Sequence, residues 1–198
     1  MYDGIDEEEF VDRIILTSTN EHLLKINKDI LQLLPGVSKI YVSADSIISD
    51  DEEECNNYPM EFINKLTPSG MPPHLLELKI GAIVMLLRNL DLKEGLCNGT
   101  RLRVIAMTES ILQCQILTGA AEGNIFFISC IDIDPSDSNG MPFKLRRRQF
   151  PLRLSYAMTI NKAQGQTFNK VGIVLKKPCF THGQLYVALS RARAFVMS

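Results

Sequence analysis

The sequence predicts an α/β fold interrupted by an all-β insertion, on three observations. A strand–turn–helix pattern opens the chain, and a strand, polar turn, strand and helix close it. Between them lie only short apolar or alternating runs separated by turn residues. With 198 residues and 45% hydrophobic content, the chain can bury a real core, as one domain or two small ones.

Taken in order, residues 11–16 form a short apolar strand. Leucines and isoleucines at 23, 24, 30, 31 and 34 then mark one face of a helix, with Ser18 and Glu21 offering a capping box and Pro35-Gly36 a stop. Residues 39–42 read as a second strand. The acidic run at 49–54 and the Pro- and Gly-bearing stretch to Pro73 read as a solvated surface excursion. Residues 80–87, 101–107, 111–117 and 124–131 are strand-like. Among them Leu112, Cys114 and Ile116 alternate with Gln113 and Gln115, as in a half-buried strand, so a small β-barrel or open sheet is expected. Residues 152–160 resume as a strand, 171–175 form a buried strand, and 184–193 form a helix.

Charge is segregated along the chain. Residues 138–198 carry eleven Lys and Arg and no acid, whereas the first 137 carry ten basic and twenty-three acidic side chains. The formal net charge of −2 thus hides a basic end suited to a polyanion. The longest apolar run, residues 82–87, is far short of the ~20 residues a membrane span needs, so no membrane partner is expected. The acidic start MYDGIDEEEF lacks the features of a secretory signal, which points to nucleus or cytoplasm. Five scattered cysteines without a Cys-x-x-Cys pair, and three histidines at no ligand spacing to them, argue for reduced thiols and against a metal site.

Two dense polar segments stand out in the basic end. Residues 159–167 combine amides, a cation, a hydroxyl and a glycine. Lys162 supplies charge, Gln164 and Gln166 hydrogen bonds, and Gly165 a close backbone approach to an anion. At the carboxyl end of a strand such a turn sits where open α/β sheets bind ligands, although a solvated turn fits the composition equally. In residues 182–193, Leu185, Ala188, Leu189 and Ala192 form an apolar stripe, Gln184 and Arg191 share a neighbouring face, and Thr181 with Gln184 could cap the start. Arg191 and Arg193 near the helix end also suit its dipole as plain surface arginines. Composition does not choose.

AMTINKAQGQTF (157–168), HGQLYVALSRAR (182–193), MLLRNLDLKEGLCNGTRL (85–102) and LTPSGMPPHLLELKIG (66–81) together resemble the carboxyl-terminal half of Pif-one-like DNA helicases. These belong to the Pif/RecD branch of superfamily 1, and the Helitron-borne copies are especially similar. The resemblance runs from about residue 14 to 193. It implies a partial second RecA-like domain interrupted by a small β-barrel: residues 1–79 as the first part of the RecA-like domain, 80–150 as the barrel and 151–198 as its second part. It implies DNA-backbone contact for Thr159 and Lys162, nucleotide-side contact for Gln164 and Gly165, and a role for Arg191 as the arginine that reaches the terminal phosphate. The cluster Lys144-Leu-Arg-Arg-Arg148 offers Arg146, Arg147 and Arg148 as DNA contacts. It also resembles a nuclear-import signal, and a solvated barrel edge fits it as well. His182 is placed for a phosphate contact or for capping.

The departure from the family pattern is specific. No G-x-x-x-x-G-K-[ST] occurs and no lysine precedes Ser or Thr, so the phosphate cradle and its magnesium ligand are absent from this sequence. The acidic stretch after Ile47-Ile48 only superficially resembles the magnesium motif of such motors. The expectation is therefore a fragment of an ATP-dependent 5'-to-3' DNA helicase that binds single-stranded DNA, depends on a missing amino-terminal RecA-like domain, and engages ATP and Mg2+ only within a complete helicase. Alone it should be inactive. A non-catalytic single-stranded nucleic-acid-binding module and an inert transposon-derived remnant are the alternatives. Telomere maintenance, DNA repair and recombination are the roles the family suggests.

Overall fold

The computed structural model describes residues 11, 13–48, 58–135, 143–166, 168–174 and 183–191. The elements run β1 (Arg13–Thr17), α1 (Asn20–Leu33), β2 (Lys39–Val42), β3 (Ala44–Ile48), α2 (Met60–Lys65), β4 (Leu75–Leu78), β5 (Ile83–Leu86), β6 (Arg101–Met107), β7 (Ile111–Ile116), β8 (Ile125–Ser129), β9 (Ile131–Ile133), β10 (Lys144–Gln149), β11 (Leu152–Leu154) and β12 (Ala157–Thr159). A 3-10 turn (Ile160–Ala163), β13 (Lys170–Val174) and α3 (Gln184–Leu189) follow. No helix of the described residues is long and apolar enough to cross a membrane. The chain packs as two compact units.

The first unit comprises Met1–Pro35, Gly81–Ile83 and Leu154–Ser198. Its three-stranded parallel sheet has the order β12-β1-β13, with Thr17 opposite both Thr159 and Val174. Parallel strands require crossovers, and α1 begins the one that leaves β1. It buries Leu23, Asn27, Ile30 and Leu31. Asn27 is the polar exception, and its bonds explain the burial. Its Oδ1 accepts the N–H groups of Tyr156 (2.8 Å) and Ala157 (2.9 Å), and its Nδ2 donates to the Ala157 carbonyl (3.2 Å). A helix side chain therefore holds the strand that leads into the polar turn. The expected capping box does not form. Thr19 is the N-cap without a side-chain cap bond, and its hydroxyl instead meets His22 Nδ1 at 3.0 Å.

The second unit comprises Gly36–Ile80 and Val84–Arg153. A five-stranded sheet, β11-β5-β6-β7-β8, lies with a three-stranded sheet β3-β10-β9 and a β2-β4 pair. Along the large sheet Val84, Leu86, Leu102, Val104, Leu112, Cys114, Ile116 and Ile128 are each at most 1% exposed, so one face is a continuous apolar core. Burial pushes the Cys114 thiol up to about 12, which makes it a packing residue rather than a nucleophile. The sheet has two free ends, β11 and β8, so among the described residues its strands do not close into the barrel that the alternation suggested.

Several boundaries differ from the sequence reading. Residues 124–131 form two strands, and residues 152–160 split between two sheets before turning into the 3-10 segment. The stretch read as a surface excursion contains α2, whose Ile63 packs with Met71, Ile133, Phe143 and Leu145. Residues 36–79 pair with the β-rich unit through β2-β4 and β3-β10, although the sequence grouped them with the opening strand and helix. The acidic run at 49–54 lies outside the described residues.

Candidate nucleotide and DNA site

The polar turn begins where β12 ends, at the carboxyl edge of the parallel sheet. Thr159 caps the 3-10 turn with extended backbone, and the buried Ile160 and Ala163 anchor it. That anchoring leaves Asn161, Lys162, Gln164 and Gly165 on the surface. Gly165 has φ +83°, and nothing lies within 4 Å of where a Cβ would sit. Its requirement is conformational, not steric.

The second polar segment meets the first. The N–H of Phe168 donates to the Arg191 carbonyl at 2.9 Å, and Arg191 Nη1 donates to the Gln166 carbonyl at 3.4 Å. The rest of the half-buried guanidinium is held by its own helix end. Nε donates to the Val187 carbonyl (3.2 Å) and Nη2 to Ser190 Oγ (2.9 Å). Carbonyls and a hydroxyl satisfy the geometry of the guanidinium without supplying an opposite charge. Gly183, with φ +94°, is the N-cap of α3 in place of the expected Thr181. His182 and Thr181 lie outside the described residues, as do Thr167, Ala192 and Arg193 and the side chains of Gln184 and Leu185.

Two hydroxyls at the same edge escaped the sequence reading. Thr17, at the end of central β1, is fully buried, and among the described residues neither its Oγ1 nor the neighbouring Ser18 Oγ has a hydrogen-bond partner. The signal was Thr17-Ser18 directly after an apolar strand, which was read only as a helix start.

The Lys144–Arg148 cluster is corrected most sharply. It is strand β10, and its alternation puts Leu145, Arg147 and Gln149 inside. Arg147 is 0% exposed. Its Nε donates to Asp45 Oδ1 at 2.8 Å, its Nη2 to Asp45 Oδ2, and its Nη1 to the Pro72 carbonyl at 2.9 Å. It is an internal ion pair and no DNA contact. Burial alone would raise the Asp45 pKa, but hydrogen bonds from Arg147 and Ser43, with the charges of Arg147 and His74, outweigh it and hold the carboxyl below its ordinary value. Arg146 forms a two-bond pair with Asp134 (2.9 and 3.0 Å), and Arg148 pairs with Asp132 (3.1 Å). These two remain at the surface with much of their charge answered.

A parallel sheet with a polar turn at its carboxyl edge, met by the arginine that follows α3, has the layout in which open α/β sheets bind ligands. Comparison with known proteins makes this specific. Residues 61–107 match the family described as DNA helicase Pif1, 2B domain, and residues 139–197 match the viral superfamily 1 RNA helicase core domain. An ATP-dependent DNA helicase PIF1 of Danio rerio is 34% identical over 177 residues, covering 85% of this chain and 24% of the relative. The Homo sapiens PIF1 is 42% identical over 123 residues, covering 61% and 18%. Among solved structures, Bacteroides Pif1 bound to ssDNA superposes with TM-score 0.67 at 27% identity, covering 92% of this chain and 38% of that one. Candida albicans Pif1 gives 0.68 at 26%, covering 93% and 44%. The chain is similar to Pif1 helicases over most of its length and spans about a quarter of the length of the curated relatives that match most of it.

Proposed function

We propose that this chain supplies the second-motor-domain share of an ATP-dependent 5'-to-3' DNA helicase: single-strand contacts from the polar turn and an arginine finger from Arg191, just past the end of α3. The observation that carries the reading is the meeting of Arg191 with the polar turn at the carboxyl edge of a parallel sheet, in a Pif1 relative. The residues suit a polyphosphate. Gln164 is exposed and Gly165 has left-handed backbone, and among the described residues Arg191 is bound by carbonyls and a hydroxyl, with no acid paired to it. Among the described residues no group of three His, Cys, Asp or Glu side chains gathers to hold a metal.

In this reading the nucleotide supplies the phosphoryl group, and its cradle comes from a P-loop that this sequence does not contain. Arg191 donates to charge developing on the terminal phosphate, an effect worth ~10³ to 10⁵ in rate for arginine fingers. The planar fork, not the charge alone, does this, so lysine is no substitute. Lys162 and Thr159 hold the strand backbone, while the β-rich unit, Gly36–Ile80 with Val84–Arg153, serves as the 2B-like module inserted in the RecA-like sequence. A pure binding module without motor work is the second reading, favoured by the acid-free basic end.

The purified chain is expected to hydrolyse ATP at background rate and to bind labelled single-stranded DNA with affinity that falls as salt rises, because bound phosphates release counterions. Lys162→Gln should lower the slope of that dependence by about 0.7. Robust hydrolysis by the chain alone would overturn the half-site reading, and salt-independent binding would remove the DNA role.

A further inference from the structure

We infer that the second unit carries a separate single-stranded nucleic-acid surface, on the sheet face opposite its core, with Arg103 and Arg153 as phosphate contacts and Phe127 as a stacking ring. This deepens the DNA-binding reading above, but it uses residues that the polar turn does not.

Register places these groups together. Leu87 N donates to the Pro151 carbonyl (2.8 Å) and Ser155 N to that of Ile83 (2.9 Å), which sets Arg153 opposite Met85. Leu86 N donates to the Thr100 carbonyl (2.9 Å), which brings Val84 opposite Leu102 and Met85 opposite Arg101. Arg101 and Arg103, two residues apart on β6, therefore share a face with Arg153, about 7 Å apart along the strand and about 10 Å across two strands. Arg101 is itself buried, 2% exposed, which leaves the part-buried Arg103 and Arg153 as the arginines within reach of a ligand. Gln115 lies opposite Arg103, Ile125 opposite Gln115 and Phe127 opposite Gln113. Phe127 is 72% exposed and Ile125 49%.

The unit's own arginines provide the contrast. On β10, Arg146, Arg147 and Arg148 each have an aspartate. Across the large sheet, the Nε atoms of part-buried Arg103 and Arg153 are buried and have no hydrogen-bond partner among the described residues. Desolvation, with no opposing cause, lowers the Arg153 pKa from its usual value. A cation drawn out of water without an answering acid is costly unless an anion completes it. Amides beside it and an exposed ring along the same face fit a strand whose backbone lies on the arginines and whose bases stack on aromatic and apolar groups.

The test is the affinity of the full chain for a labelled oligothymidylate across a salt series. Arg103→Gln with Arg153→Gln is expected to weaken binding about tenfold and to reduce the salt slope by about 1.4, or ~0.7 per lost phosphate contact. Phe127→Ala should weaken binding about fivefold or more with the slope unchanged, because stacking releases no counterions. Wild-type affinity and slope in the double variant, while Lys162→Gln still weakens binding, overturn this inference and leave the polar-turn reading standing; the reverse pattern does the opposite. Should the glutamine pair disturb folding, phenylglyoxal labelling of the wild-type chain decides. Protection of Arg103 and Arg153 by the oligonucleotide supports the surface, and no protection overturns it. Displacement of the oligonucleotide by polyglutamate at equal charge overturns the nucleic-acid assignment.

Discussion

Asn27 shows how one side chain can set the position of a site it never touches. Its amide satisfies two strand N–H groups and one carbonyl that would otherwise be buried without partners, and that strand delivers Thr159 and the polar turn. Asn27→Ala should therefore cost about 2–3 kcal/mol in urea unfolding, the penalty of orphaned buried backbone groups. Asp45 is the other pivotal residue, because it answers a fully buried arginine. Its pKa is depressed in the folded state, so its stabilisation is complete above the unfolded carboxyl pKa, about 3.9, and is lost as pH falls through the lower folded value. Asp45→Asn should cost about 3–5 kcal/mol at neutral pH, since it strands Arg147. It should also flatten the acid limb of a stability-against-pH profile. Arg147→Ala, by contrast, should leave the salt slope of DNA binding unchanged in whatever fraction stays folded. A lowered slope there would return Arg147 to the surface.

At the scale of elements, glycines separate backbone roles from packing roles. Gly165→Ala places a Cβ in open space but at φ +83°, and should cost about 1–2 kcal/mol, read as a lowered midpoint in thermal unfolding. Gly172 on β13 is the control. A Cβ there would meet Ile15 Cγ1 at an ordinary 3.7 Å, so Gly172→Ala should be neutral or slightly stabilising. Elements were legible in the sequence where periodicity was undisturbed. β6 has the expected ends, and α1 and β7 differ from expectation by a residue or so, because an apolar face repeats at 3.6 or 2. β10 was missed because its inward positions are Leu145, Arg147 and Gln149, and two of those three are polar. A strand whose core residue is an arginine is visible only with its partner Asp45, 102 positions away. The turn at 159–166 was legible as a polar turn from its composition, yet its neighbours, the Thr17 and Ser18 hydroxyls, were not, since only the parallel pairing of β1 with β12 brings them there.

For the whole molecule, the sequence showed the charge asymmetry but not where the charge goes. The basic cluster before residue 150 is largely answered by aspartates, while arginines at 103 and 153, which form no run, are left on one sheet face. What the chain retains is an arginine, a polar turn and a sheet edge. This sequence contains no phosphate cradle, and the role proposed above needs one supplied by a complement. The most direct measurement joins it to that complement. In a chimera of the Danio rerio PIF1, the 177 matched residues are replaced by this chain, and ATP hydrolysis stimulated by single-stranded DNA is compared for Arg191 and Arg191→Ala. A loss of about 10³ or more in rate in the variant, with nucleotide still bound, is the predicted result. Equal hydrolysis by the two would contradict the assignment of Arg191 to the terminal phosphate.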